Sequence, residues 1–166
     1  MSGEIINKVE KAGLITLDVN SFILPGKRVG LDIVPWLSDN IVREQSFKGH
    51  LDSFDWEGMR DKFVAVFCSK DVIIPPWAYL LIQTKLHGIA KQVFFSDLET
   101  MDVLLFEKSL SNVRFDQYAN KRVFLKVCGN VHLPICAISL CVARLMPHVK
   151  SLFYGEPCSN IPLIKN

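Results

Sequence analysis

Three of the five cysteines in this chain of 166 residues stand where an open parallel sheet would expose them. Cys68 closes the apolar run that starts at Phe63, and Cys128 closes the run that starts at Val123. Cys158 sits two residues beyond Glu156 in Gly155-Glu156-Pro157-Cys158-Ser159. Ligands of open parallel sheets bind outside the carboxyl ends of the strands. Thiolates gathered there would hold a soft metal, zinc first, and a nitrogen or oxygen ligand would complete a tetrahedron. The residue types therefore point to a zinc site of Cys68, Cys128 and Cys158 with Glu156 in the fourth place, Asp71 and His132 being the other candidates for that place. No Cys-x-x-Cys pair supports this reading, and the plain alternative is that strand-end cysteines only fill space.

A second chemistry is available to the same thiols. Cys68 and Cys128 each precede a helical pattern, whose N-terminal dipole lowers a thiol pKa. His132 follows Cys128 by four residues and is the only nearby candidate base for a cysteine nucleophile. The third reading is a structural or interaction protein without a site. Cys136 and Cys141 belong to none of these. They fall five residues apart on one helix, a rotation of about 500°, and read as small core residues. Asp97 reads as a helix-start carboxylate, and Trp77 and Tyr79 as core aromatics early in a helix. No phosphate-loop, dinucleotide or Gly-x-Ser-x-Gly pattern occurs.

These groups need a frame, and the hydrophobic pattern supplies one. Ile15 to Val19, Arg28 to Val34, Phe63 to Cys68 and Gln92 to Phe95 read as strands. The run from Phe63 is continuously apolar, the mark of a strand buried on both faces. Pro75-Pro76 opens a helix towards Ile89. Ser96 with Glu99 fits a capping box for a helix from Asp97 to Leu110. The chain then repeats itself at an offset near 59: Phe54-Asp55 matches Phe115-Asp116, Pro76 matches Pro134, and Lys91, Phe94 and Phe95 match Lys150, Phe153 and Tyr154. The expected fold is an α/β three-layer domain with a mainly parallel sheet, built from a duplicated strand–helix–strand unit. It is expected as one domain over residues 1–166, with a β-rich N-terminal layer over 1–53, one repeat over 54–110, and a second repeat with a C-terminal tail over 111–166. The helix from Pro134 to Met146 is apolar nearly all round, so part of it should be covered by the N-terminal layer or by a second copy of the chain as a homodimer.

Bulk properties exclude other classes. The hydrophobic fraction of 49% argues against disorder. The net charge is +2, from 19 basic and 17 acidic residues, with no basic run longer than two, so nucleic acid is not an expected partner. A small molecule at the strand ends remains the natural ligand. The N-terminus has no signal-peptide pattern, and the apolar stretch from Leu133 to Met146 is too short to span a bilayer. The expected location is the cytoplasm, where the cysteines stay reduced.

Three segments together resemble a known family. They are Glu4-Ile5-Ile6-Asn7-Lys8-Val9-Glu10 with Gly13-Leu14-Ile15-Thr16-Leu17-Asp18, then Cys68-Ser69-Lys70-Asp71 with Ile74-Pro75-Pro76-Trp77-Ala78-Tyr79, and finally Phe153-Tyr154-Gly155-Glu156-Pro157-Cys158-Ser159. The sequence resembles the bacterial family called domain of unknown function 2480, found chiefly in Bacteroidetes. The resemblance implies a bacterial cytoplasmic protein and brings no activity with it.

Overall fold

The computed structural model describes residues 13–127 and 133–165. In chain order these form β1 (Leu14–Asp18), β2 (Arg28–Asp32), α1 (Glu44–Ser53), β3 (Phe63–Phe67), α2 (Pro76–Leu86), β4 (Gln92–Phe94), α3 (Leu98–Leu110), β5 (Arg122–Lys126), α4 (Ile135–Leu145), β6 (Ser151–Glu156) and β7 (Ser159–Lys165). The protein is an α/β fold whose strands are mainly parallel. They make two sheets where the sequence suggested one. The order in the first is β2-β3-β4, and in the second β1-β5-β6-β7. The chain divides accordingly into two compact units. One spans Pro25–Met101, and the other joins the residues up to Leu24 to those from Asp102 onward.

This division corrects the expected N-terminal layer. β1 and β2 belong to different sheets. β1 pairs in parallel with β5, and β2 pairs in parallel with β3. A strand whose neighbour is far along the chain leaves no local signal of its partner, so periodicity alone placed the two together.

In the unit of β2, β3 and β4, Phe63, Val64, Ala65 and Val66 are all buried, as expected of a strand covered on both faces. Pro75 caps α2 and Pro76 occupies its first turn, where a missing N–H costs nothing. Ala78, Ile82 and Leu86 then recur every four residues and bury one face against Val64 and Val66. Leu31, Ile33, Phe47 and Leu51 complete that core.

The other unit uses the same devices. Ala137, Cys141 and Leu145 form the buried face of α4, against Val123, Leu125 and Leu152. Each of these helix positions lies 59 residues beyond its counterpart in α2. The same offset separates the register pairs Phe63↔Gln92 and Arg122↔Ser151. It also separates Asp61 and Asn120, two non-glycine residues held in the left-handed region at φ 58° and 59°. The amide of Asp61 donates to the Ile89 carbonyl at 3.0 Å, and that of Asn120 to the His148 carbonyl at 2.9 Å. The counterpart of Pro134 is therefore Pro75, one residue before the proline that the sequence pattern suggested.

Two further expectations need correcting. α4 is one-sided: Ile135, Cys136 and Met146 are exposed, while Ile138, Leu140 and Val142 are half-buried. The supposed C-terminal tail is β7, antiparallel to β6. It carries Pro162, which an edge strand tolerates because its outer N–H groups need no partner. Among the described residues, no helix is long and apolar enough to cross a membrane.

Candidate functional site

Two strands of the first sheet end together and open a crevice. β3 runs out through Val66, Phe67, Cys68 and Ser69, and β4 through Phe95, Ser96 and Asp97. Tyr79, in the first turns of α2, forms a third wall, and the open space between them is about 500 Å³. This is where the parallel topology leaves strand ends unpaired and backbone groups facing outward. The Tyr79 and Phe95 rings meet at 5.3 Å between centroids with a 54° tilt, and give the crevice an aromatic side.

The polar side is held by a strand-terminal carboxylate. Asp32 closes β2, and its Oδ2 accepts from the Ser69 hydroxyl at 2.5 Å. Its Oδ1 accepts from the Ser69 amide at 3.2 Å and the Val34 amide at 3.1 Å. Burial pushes the Asp32 carboxyl pKa up, but the Ser69 hydroxyl and the two amides outweigh it, and the net shift is downward. Asp32 therefore fixes the loop that follows Cys68. Asp97 accepts from the Thr100 amide at 2.7 Å and caps α3. That backbone bond, with the Thr100 side chain, holds its carboxyl below the usual range. The cap is thus Asp97 with Thr100, one position on from the Ser96–Glu99 box expected from sequence. Ser96 instead donates to the Asp97 carbonyl at 3.0 Å. Burial, and then the neighbouring Cys68, push the Tyr79 hydroxyl pKa up, so it stays a neutral donor.

Of the expected metal ligands, Cys68 is half-buried in the crevice wall. Glu156 and Cys158 belong to the other unit. Pro157 and Cys158 are the two turn residues between Glu156 and Ser159, which pair as the last rung of β6 and β7. The Gly-Glu-Pro-Cys-Ser segment is thus a tight hairpin, and Cys158 is exposed at its tip. Glu156 already pairs with Lys126 at 2.6 Å. Cys128 and His132 lie outside the described residues. Among the described residues, no three His, Cys, Asp or Glu side chains gather as a metal would require. Cys141 is fully buried, as a packing residue should be, and burial pushes its thiol up to about 12. Cys136, expected in the core with it, is exposed.

Asp32, Ser69 and Phe95 were not legible as site residues. The available signal was faint: β1 and β2 both end in aspartate, at Asp18 and Asp32, and each carboxylate accepts from the amide two residues on. Tyr79, read as core, lines the crevice as well.

A parallel-sheet α/β protein with a crevice at its strand carboxyl ends is the class these features define. The model of one family, described as protein of unknown function (DUF2480), matches residues 3–166, and the chain belongs to that family. No curated protein and no solved structure matches it.

Proposed function

We propose that this protein binds a small organic molecule in the crevice at the carboxyl ends of β3 and β4. The observation that carries this reading is the joining, in about 500 Å³, of an aromatic pair with thiol, hydroxyl and carboxylate groups. The volume is in the usual range for small-molecule sites. No lysine, arginine or histidine is among the lining residues, and Asp97 supplies negative charge. The ligand class is accordingly a neutral or cationic molecule with a flat apolar face and hydrogen-bond donors. Its flat face would pack on Phe95 and Tyr79, and its donors would meet Asp97 and Ser96. A nucleophilic role for Cys68 has less support, because no histidine lines the crevice to serve as its base.

Amide chemical shifts during titration with phenethylamine, and separately with benzoate, test the proposal. The amine should move the signals of Cys68, Ser69, Phe95 and Ser96, and benzoate should not. Phe95→Ala should weaken the amine by roughly 3- to 10-fold, the worth of one aromatic contact. Unmoved crevice signals across a panel of aromatic amines and neutral heterocycles would sink it.

A further inference from the structure

We propose a second, separate ligand site: the cleft at the start of β5 and β6, which binds a phosphorylated small molecule through Arg122, Lys150 and Lys165. Arg122, Ser151 and Lys165 are register partners across β5, β6 and β7. Register partners project from the same face, so the two cations flank the serine from positions roughly 10 Å apart, two strand spacings. Lys150 adds a third cation and Phe153 an aromatic wall, around a space of about 360 Å³. The Phe153 ring stacks on Phe124 at 4.7 Å and 13°, which gives the wall a fixed base.

Like charges brought together on a sheet repel, so such a cluster works against folding unless something offsets it. None of the three cations has an ion-pair partner among the described residues. The second observation is Ser151. It is 6% exposed, and its hydroxyl opens on this cleft without a hydrogen-bond partner among the described residues. The hydroxyl faces the open cleft, where a ligand oxygen can take the place of water as its partner.

The comparison within the molecule makes the arrangement specific. In the other sheet the place of Arg122 in the register is taken by Phe63, and that of Ser151 by Gln92. There Lys91 lies 4.8 Å and Arg28 5.5 Å from the Phe63 ring centroid, so both cations are engaged by an aromatic face. The shared framework therefore does not by itself create an open basic cleft. Three cations call for a ligand with at least two negative charges. A guanidinium binds a tetrahedral oxyanion through two parallel bonds, and a hydroxyl donor beside it suits a phosphate oxygen. Phe153 offers packing for the organic part of a phosphate ester.

The test is an amide-shift titration at low salt with pyrophosphate, inorganic phosphate and citrate. Pyrophosphate should move Arg122, Ser151 and Lys165 signals, more tightly than phosphate and at least about 10-fold more tightly than citrate. Arg122→Gln should weaken it by roughly 10-fold or more, and Lys165→Ala, an exposed change at a strand end, by several-fold with the fold intact. Lys48→Ala, outside the cleft, should change nothing. Absence of local shifts at millimolar pyrophosphate, equal binding by citrate, or undiminished binding by Lys165→Ala and Arg122→Gln would each overturn the proposal.

Discussion

The Ser69 hydroxyl reaches Asp32 at 2.5 Å, across 37 residues of chain, and ties the end of β2 to the loop that leaves β3. One bond thus sets both the closure of a strand pair and the polar wall of the crevice. Ser69→Ala should cost about 1 kcal/mol at neutral pH, below the range of roughly 1.5–3 kcal/mol for a bond to a charged group, because the carboxylate is only half-buried. The pH dependence has a definite sign. The Asp32 pKa is lowered on folding from 3.8, so its contribution is present above that value and is lost as pH falls through the lower, folded value. Urea midpoints of wild type and Ser69→Ala should therefore differ at neutral pH and draw together as the pH falls below 3.8. A constant difference throughout would show that the loss is not that of the ionised pair.

The thiols should divide by exposure. Cys141, with its pKa raised to about 12, stays protonated and enclosed at any ordinary pH, and should be alkylated only after unfolding. Cys136 and Cys158 should label first, and Cys68 more slowly from its half-buried wall. Mass spectrometry of peptides after timed iodoacetamide exposure reads each rate. The same experiment bears on the zinc expectation. A shared ion would protect Cys68 and Cys158 together until a chelator is added. With Glu156 held by Lys126 at 2.6 Å, we expect chelator to change neither rate. Joint acceleration of both would restore the metal reading, and Cys128→Ser would then release the ion.

Much of the frame was legible because its signals are local. The apolar run of β3 and the prolines before α2 need no knowledge of partners. The offset of 59 was legible too. It recurs in strand register and in the left-handed pair Asp61 and Asn120, and we propose gene duplication as the reason. Sheet membership was not legible. β1 finds its partner more than a hundred residues away, and the intervening unit erases any sequence trace of the pairing. The crevice was located in outline through Cys68 and Asp97, yet its anchor was missed, since the Asp32–Ser69 bond depends on which strands adjoin. The cysteine cluster was an inference from residue types at strand ends, and Cys128 lies outside the described residues, so the chelator experiment is its test.

Helix burial gives a matched pair of outcomes. Ile82 is fully buried in α2, so Ile82→Ala removes methylenes and leaves a cavity, costing about 2–5 kcal/mol. Ile135 opens α4 at 75% exposed, and Ile135→Ala should change stability by less than about 0.5 kcal/mol. The contrast checks the one-sided reading of α4. A loss of several kcal/mol from Ile135→Ala that depends on protein concentration would instead show that a second copy covers this end of the helix.

The hairpin between β6 and β7 rests on Gly155. Its φ of 112° lies where a side chain is strained, and a Cβ there would run into the Ser159 carbonyl oxygen and stand 3.1 Å from the Asn160 Cα. Neither obstacle is a flexible side chain that could swing away. The next residues depend on that geometry: Glu156 pairs with Ser159 across the turn, and the Asn160 side-chain Nδ2 donates to the Glu156 and Pro157 carbonyls at 3.1 and 3.2 Å. Backbone strain of this kind costs about 1–3 kcal/mol, and the clash adds to it. Gly155→Ala should therefore be relieved by opening the hairpin rather than by a small shift. Hydrogen exchange reads that opening directly, with faster exchange at the amides of β7 while those of β3 and β5 keep their protection. Because Lys165 is carried by β7, the same variant should also lose pyrophosphate binding at the basic cleft. Unchanged β7 protection in Gly155→Ala would show that the turn accepts a side chain and that the glycine is not what sets it.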